Sequence, residues 1–276
     1  MIVSLMMSMA LLLEADTQPT VMAQANGVEW SQYRMRNHPQ MGKTAPLKFE
    51  PNKFTFCRIQ YRSYGGRWGW DTDYPDSDFN FSLRLSQLTT IEVNRNEHGE
   101  IQYVNLPLTN PNLFNYPWIY MLEVGALSFS EEERHWLREY LLRGGFLFVD
   151  DFWGEREWQN WVYEISQVFP PKEFPMFEIP ITHEIFRCVF TLEEMPQIPS
   201  INAWRSGVTW ERPDAKVARL WGIKDKKGRL MAVIAHNTDL GDGWEREGED
   251  RGYFEEFSAK KAYPLGINIV VYAMTH

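Results

Sequence analysis

Between residues 130 and 169 the chain reads helix, strand, helix, and the strand in the middle is apolar on both of its faces. Ser130 and Glu133 form a capping box, S-E-E-E, that opens a helix over about residues 131–143. Trp136, Leu137, Tyr140 and Leu141 make its apolar stripe, and Gly144 and Gly145 stop it. FLFV follows at 146–149, running straight into Asp150 and Asp151. A strand with one wet face alternates apolar with polar, so an unbroken apolar run needs cover on both sides, as in a parallel sheet. Trp158, Trp161, Val162, Ile165 and Phe169 then fall at helical spacing, giving an amphipathic helix over 154–168 that Pro170 and Pro171 end.

The rest of the chain extends this alternation. Residues 54–61 (FTFCRIQY), 90–93, 102–106, 118–122 (WIYML), 201–210, 217–222 and 230–235 (LMAVIA) read as strands, with 102–106 expected to pair with 90–93 across the turn EHGE. Ser77 or Asp78 can cap a helix carrying Phe81, Leu85 and Leu88 on one face. The tail YPLGINIVVYAMTH reads as a helix through Leu265, Ile269 and Tyr272, despite its β-branched run. Strands alternating with helices predict an α/β fold over residues 54–276: one doubly wound, three-layer domain with a mostly parallel sheet. With 44% hydrophobic residues the chain can fill such a core.

Ahead of the domain, residues 26–53 form a polar, irregular arm with Pro39, Pro46 and Pro51. Residues 1–25 read as a candidate signal peptide: the apolar run 1–13 is too short to span a bilayer, and Ala23-Gln24-Ala25 is a small-x-small site. Against it, no Lys or Arg precedes the run, and Glu14 and Asp16 stand between run and site. The expected location is therefore exported, periplasmic or cell envelope, with a cytoplasmic one as the alternative. No other segment is apolar enough to cross a membrane. The formal charge of −9 argues against a nucleic-acid groove or an anionic lipid surface, which both need basic patches. Cys57 and Cys188 sit among apolar residues without a C-x-x-C spacing, and are expected as two buried free thiols.

Acidic residues crowd directly after three strands, and in open α/β sheets ligands bind outside the carboxyl ends of the strands. Asp150-Asp151 is the first group. Asp151 can cap the helix that follows, whereas Asp150 is free to accept from a sugar-like ligand, to hold a cation or to act as a base. DTDYPDSDFN at 71–80 is the second, with Asp71, Asp73, Asp76, Asp78 and Asn80. It is no EF-hand: position twelve from Asp71 is Ser82 and the central glycine is missing. A different cation site or an acidic helix start remain. The third is AHNTDLGDGWE at 235–245, with His236, Asn237, Asp239, Asp242 and Glu245 beside Gly241 and Gly243. Trp68, Trp70, Trp153 and Trp244 flank the three groups, and aromatic rings beside carboxylates suit a sugar or peptide.

These residues outline one acidic pocket. Asp73, Asp78, Asn80, Trp153, Asn237, Asp239, Asp242 and Glu245 are expected to bind, and Asp150 and Asp151 to be the catalytic carboxylates if the domain is an enzyme. The expected partner is a polar small molecule, glycan or peptide, and a divalent cation is the only cofactor the residues suggest. Serine and cysteine nucleophile elbows, the dinucleotide glycine motif and the P-loop are all missing. His183 is expected to start a turn, and His236 has no H-x-x-x-H spacing to support a metal role. Three functions remain: binding of a polar ligand, hydrolysis through Asp150 or Asp151 with or without a metal, and a structural module whose acidic turns only cap helices. Convergence of the three groups separates the first two from the third.

The stretches YPDSDFNF, YLLRGGFLFVDDFWG, HNTDLGDGWE and YPLGINIVVYAMTH resemble the signature blocks of a bacterial domain-of-unknown-function family, DUF4159, over about residues 53–276. The resemblance implies a flavodoxin-like sandwich of the class I glutamine amidotransferase-like superfamily, distantly similar to ThuA-like domains, in proteins that are often exported or membrane-linked. It implies no established activity. In that superfamily the nucleophilic cysteine stands on the turn after a strand placed as GGFLFV is here, and this chain has Asp150-Asp151-Phe152-Trp153-Gly154 instead. Cys57 and Cys188 lie elsewhere, so the resemblance implies a domain without the thiol nucleophile.

Overall fold

Five strands lie parallel: β1 (Phe56–Gln60), β2 (Tyr103–Pro107), β3 (Trp118–Leu122), β4 (Phe146–Asp150) and β7 (Leu230–His236). With β5 (Met176–Glu178) and β6 (Arg219–Lys224) they make one seven-stranded sheet of order β2-β1-β3-β4-β7-β6-β5. β6 runs opposite to the other six. The computed structural model describes residues 50–64 and 69–276. The candidate signal peptide, the arm before Glu50 and Trp68 lie outside the described residues. All the described residues fall within one compact unit, Met41–His276.

The sheet is covered on both sides, giving a three-layer sandwich. Helices α2 (Glu131–Leu142) and α3 (Gly154–Val168) press Leu137, Tyr140, Leu141, Trp161 and Ile165 onto Cys57, Ile59, Ile119, Met121, Leu147 and Val149. The opposite face is aromatic. Phe56, Trp118, Tyr120 and Phe148 project there and meet Phe81 of α1 (Asp76–Leu88) and Trp244 of α4 (Leu240–Glu245). The C-terminal helix α5 (Tyr263–Thr275) lies on this side as well, its Gly266 backbone against Trp244 and Phe81. Every residue of β3, β4 and β7 is buried, which explains their lack of alternation.

Local chemistry accounts for most boundaries. The capping box is complete: Glu133 N donates to Ser130 Oγ (3.2 Å), and Ser130 N donates to Glu133 Oε2 (2.7 Å). Several expectations are corrected. Residues 90–93 form no strand: Val93 makes one isolated bridge to Phe54, and β2 pairs in parallel with β1. Residues 201–205 are a short helix, because Ser200 Oγ accepts from Ala203 N and starts a turn where the apolar side chains alone suggested extension. Neither Ser77 nor Asp78 caps α1. The helix begins at Asp76, and both side chains turn into the core. Cys57 is buried, but Cys188 is exposed on the segment that follows the turn opened by His183. The strand β5 and a π-helical stretch, Phe254–Ala262, had no counterpart in the pattern reading.

Candidate functional site

Each of four adjacent strands hands an acid or amide to the same edge of the sheet. The loop after β1 carries Asp73, β3 is followed by Glu123, β4 by Asp151, and β7 by Asn237 and then Asp239. The chain order reverses direction between β1 and β3, the kind of crevice where open α/β sheets take their ligands. Among the described residues, the non-glycine positions with left-handed backbone are Asp73 (φ 61°), Glu123 (φ 53°), Asp151 (φ 49°) and Asn237 (φ 62°). Such a conformation costs an L-residue about 1–2 kcal/mol, and all four instances stand at this rim. The turns brace one another beyond the last sheet pairs: Glu123 N donates to Asp151 O (2.9 Å), Asp151 N to Thr238 O (3.2 Å) and Asn237 N to Phe152 O (3.1 Å).

The loop bearing Asp73 is held from below by Arg58 of β1. This wholly buried guanidinium donates through Nε to both oxygens of Asp78 (3.0 and 3.1 Å), and through Nη1 to the carbonyls of Trp70 (3.0 Å) and Thr72 (2.7 Å). Its Nη2 donates to Ser77 Oγ (2.7 Å), and the group lies 5.1 Å from the centre of the Tyr120 ring. Asp78 is therefore the counter-ion of a buried arginine and belongs to neither of the rim's two carboxylate sets.

Carboxylates from three distant segments meet above this support. Ligand oxygens of Asp73, Asp151 and Asp239 lie within 4.8 Å of one another, and so do those of Asp73, Asp242 and Glu245. Gly241 leaves the space between them. A Cβ there would stand 2.4 Å from Asp73 Oδ2 and 3.4 Å from Asp239 Oδ1. Asp239 Oδ1 also accepts from Asp242 N (2.6 Å), opening α4. Asp150 lies beneath, with Oδ2 accepting from the Tyr120 hydroxyl and from Gly241 N, both at 3.0 Å. Three rim oxygens, Asp73 Oδ2, Asp150 Oδ1 and Glu245 Oε2, are shielded from solvent and have no hydrogen-bond partner, and only the last of them has an ion pair, with Arg246.

Among the described residues one arginine offsets this charge directly: Arg246 Nε lies 3.2 Å from Asp242 Oδ1 and 2.8 Å from Glu245 Oε2. Burial pushes Asp150 up to about 7, against the hydrogen bonds from Tyr120 and Gly241 that favour its charged form. Burial, then the charges of Glu123, Glu211 and Asp73, raise Asp151 well above the usual carboxylate range. Asp239 is raised by burial and then by Asp151 and Asp73; Asp73 by burial and then by Asp242 and Glu245. Burial, with Glu157 and Glu211 adding their charge, lifts Glu123 to about 8.

The rim thus gathers Asp73, Asp150, Asp151, Asp239, Asp242 and Glu245 and leaves other candidates in the framework. Asn80 donates Nδ2 to Trp244 O (2.9 Å) and ties α1 to α4. Asn237 accepts from Gly154 N (2.8 Å) and donates to Val217 O (2.9 Å). Trp153 is buried, so its ring is no stacking platform; its Nε1 donates to Asp151 Oδ1 (2.9 Å). Trp244 is also core, and Trp70 packs on Tyr74. Glu123 and Glu211 were missed. Glu123 follows WIYML as the other acids follow their strands, whereas nothing local singles out Glu211.

A cleft of about 440 Å³ shares Asn237 with the rim and is lined by Glu155, Trp158, Asp214, Lys216, Trp221 and His236. His236 stacks on both Phe152 and Trp158, with ring centres 4.9 and 4.7 Å away, and its Nε2 is 3.3 Å from Gly154 O. Burial lowers it to about 4, so it is neutral at pH 7, and it belongs to neither carboxylate group. Among the described residues no helix is long and apolar enough to cross a membrane. A family model described as a domain of unknown function, DUF4159, matches residues 55–274. No curated protein matches the chain.

Proposed function

The chain belongs to the DUF4159 family, a domain of unknown function, and we propose that its carboxylate rim is a divalent-cation centre through which the domain binds a polar ligand of carbohydrate or peptide character. One observation carries this reading: Asp73, Asp151, Asp239, Asp242 and Glu245 converge from three segments, with Arg246 as their direct counter-charge. Like charges this close in a low-dielectric setting must be protonated or neutralised by a cation. An all-oxygen donor set suits a hard ion, Ca²⁺, Mg²⁺ or Mn²⁺, rather than one that prefers imidazole or thiolate. Hydroxyl or carbonyl oxygens of a ligand would complete its coordination at the edge of the crevice.

The likeness to the glutamine amidotransferase-like superfamily belongs to the same proposal. On that likeness the turn after β4 is where a nucleophilic cysteine would stand, and here Asp151 occupies it with left-handed backbone. Cys57 is sealed in the core with burial pushing its thiol up, so the rim works through carboxylates. An exported location is also proposed, on the pattern of residues 1–25 alone. N-terminal sequencing of the mature protein from its native host tests it; an intact residue 1 would count against it.

Thermal unfolding in chelator, and then in each cation, tests the centre. An ion at a hundredfold excess over its Kd should stabilise the protein by about 2.7 kcal/mol. Asp239→Asn should weaken the response without loss of the helix cap, since an amide oxygen can still accept from Asp242 N. A melting temperature indifferent to all three cations would dispose of the proposal.

A second reading, cation-assisted hydrolysis, is favoured by Asp150. Burial holds its carboxyl at about 7, the range of a general base at neutral pH. Chromogenic phosphate, carboxylate and glycoside esters, screened with cation present, examine it. Turnover that vanishes in Asp150→Asn while the cation response persists supports hydrolysis. Turnover untouched by the substitution, or none on any substrate, removes it.

A further inference from the structure

We infer that the rim is built for two divalent cations, with Asp73 as the carboxylate that bridges them; this rests on the cation reading above. Oxygens bound to one ion at about 2.1–2.4 Å can be no more than about 4.2–4.8 Å apart, since opposite ligands span twice the bond length. Asp73, Asp151 and Asp239 meet that limit as one set, and Asp73, Asp242 and Glu245 meet it as another. The limit holds within each set, and Asp73 is the member common to both. Paired-cation centres hold their ions about 3.5–4 Å apart, a separation that the two oxygens of one carboxylate can span.

Two further observations point the same way. Asp73 Oδ2 is shut off from solvent without a partner, and so is Oδ1 of the wholly buried Asp150, whose other oxygen is fixed to Gly241 N beside the cluster. Buried polar oxygens normally have partners, so these two mark a missing positive ligand. The charge points the same way: the five carboxylates of the two sets, when ionised, and Arg246 sum to −4 before Asp150 is added, so a single divalent ion leaves the centre negative. Arg246 already pairs with Asp242 and Glu245, so the ion on that side binds second and more weakly. Among the described residues no arginine or lysine pairs with Asp73, Asp151 or Asp239, so that side fills first.

Manganese titration of the full-length protein, followed by electron paramagnetic resonance and by elemental analysis after dialysis, reads this directly. Two ions per chain are expected, in two steps of unequal affinity, with the spectrum of an exchange-coupled pair at saturation. Glu245→Gln should keep the first ion and lose the second, together with the coupled spectrum. Asp239→Asn should weaken the first step, and Asp73→Asn should weaken both by a hundredfold or more. One ion per chain with an uncoupled spectrum in the wild type overturns the pair and leaves the single-cation reading standing. No bound manganese at all overturns both. Should Glu245→Gln fail to fold, the wild-type stoichiometry and spectrum decide alone.

Discussion

Asp78→Ala is expected to cost about 3–5 kcal/mol of folding stability, the price of stranding a buried charge, although Asp78 lies outside the carboxylate centre. Its partner Arg58 is fully buried and has no route to water. Removing one member of a buried pair leaves the other desolvated and unpaired, which costs far more than the pair itself contributes. The loss should also reach the rim. Arg58 holds the carbonyls of Trp70 and Thr72, the residues that aim Asp73, so a displaced guanidinium loosens that loop. Urea denaturation and a cation titration on the same protein check both halves. Replacing both partners with apolar residues of similar volume, Arg58→Met with Asp78→Leu, should recover much of the stability but not the cation affinity. A stability loss below about 1 kcal/mol for Asp78→Ala would mean that water reaches the arginine and that the buried-pair account is wrong.

In chelator, the protein is expected to lose stability steadily as the pH rises from about 5 to about 8, and to reverse that trend when a divalent cation is added. Carboxylates in the unfolded chain titrate near 4, whereas Asp150 is held at about 7 and Glu123 at about 8, with Asp73, Asp151 and Asp239 also raised. Between those values the folded state binds more protons than the unfolded one. Stability is then complete below the unfolded value and falls as the pH climbs through the folded ones, by up to about 1.4 kcal/mol per pH unit for each titrating group. A cation binds only the ionised carboxylates, so its affinity rises over the same window and opposes the fall. Melting temperatures across this range, with chelator and with excess cation, measure both slopes. Asp239→Asn should raise the chelator melting temperature at the alkaline end by removing one of the crowded charges. A chelator curve that climbs with pH would show that the acids are already ionised and paired elsewhere.

Much of the architecture could be read from local pattern because local chemistry enforces it. The apolar run 146–149 needed cover on both faces, and β4 has it; the capping box at Ser130 is present bond for bond. Looking for acids directly after strands led to three segments that do converge at one rim and, applied to WIYML, would have found Glu123 as well. Which acid turns inward was not legible. In DTDYPDSDFN acids recur every second or third residue, and nothing within the stretch distinguishes Asp73 from Asp78. Arg58, twenty residues before Asp78, makes that choice by pulling Asp78 beneath the sheet edge. The same limit explains the helix at 201–205, where one serine outweighed the extended tendency of its neighbours. Long-range pairing of buried charge leaves no periodic trace, so it appears only once the strands are assembled.

The closeness of Gly241 to Asp73 makes this geometry vulnerable at one backbone position. The smallest addition at that place, a single methyl, would stand 2.4 Å from Asp73 Oδ2 and 3.0 Å from the hydroxyl of the buried Tyr120, so the aspartate has to swing aside and the tyrosine has to give with it. Alanine there would silence the protein by obstruction instead of by loss of a donor. If the rim holds cations as proposed, one letter at the equivalent place separates chains of this architecture that have room for them from those that do not.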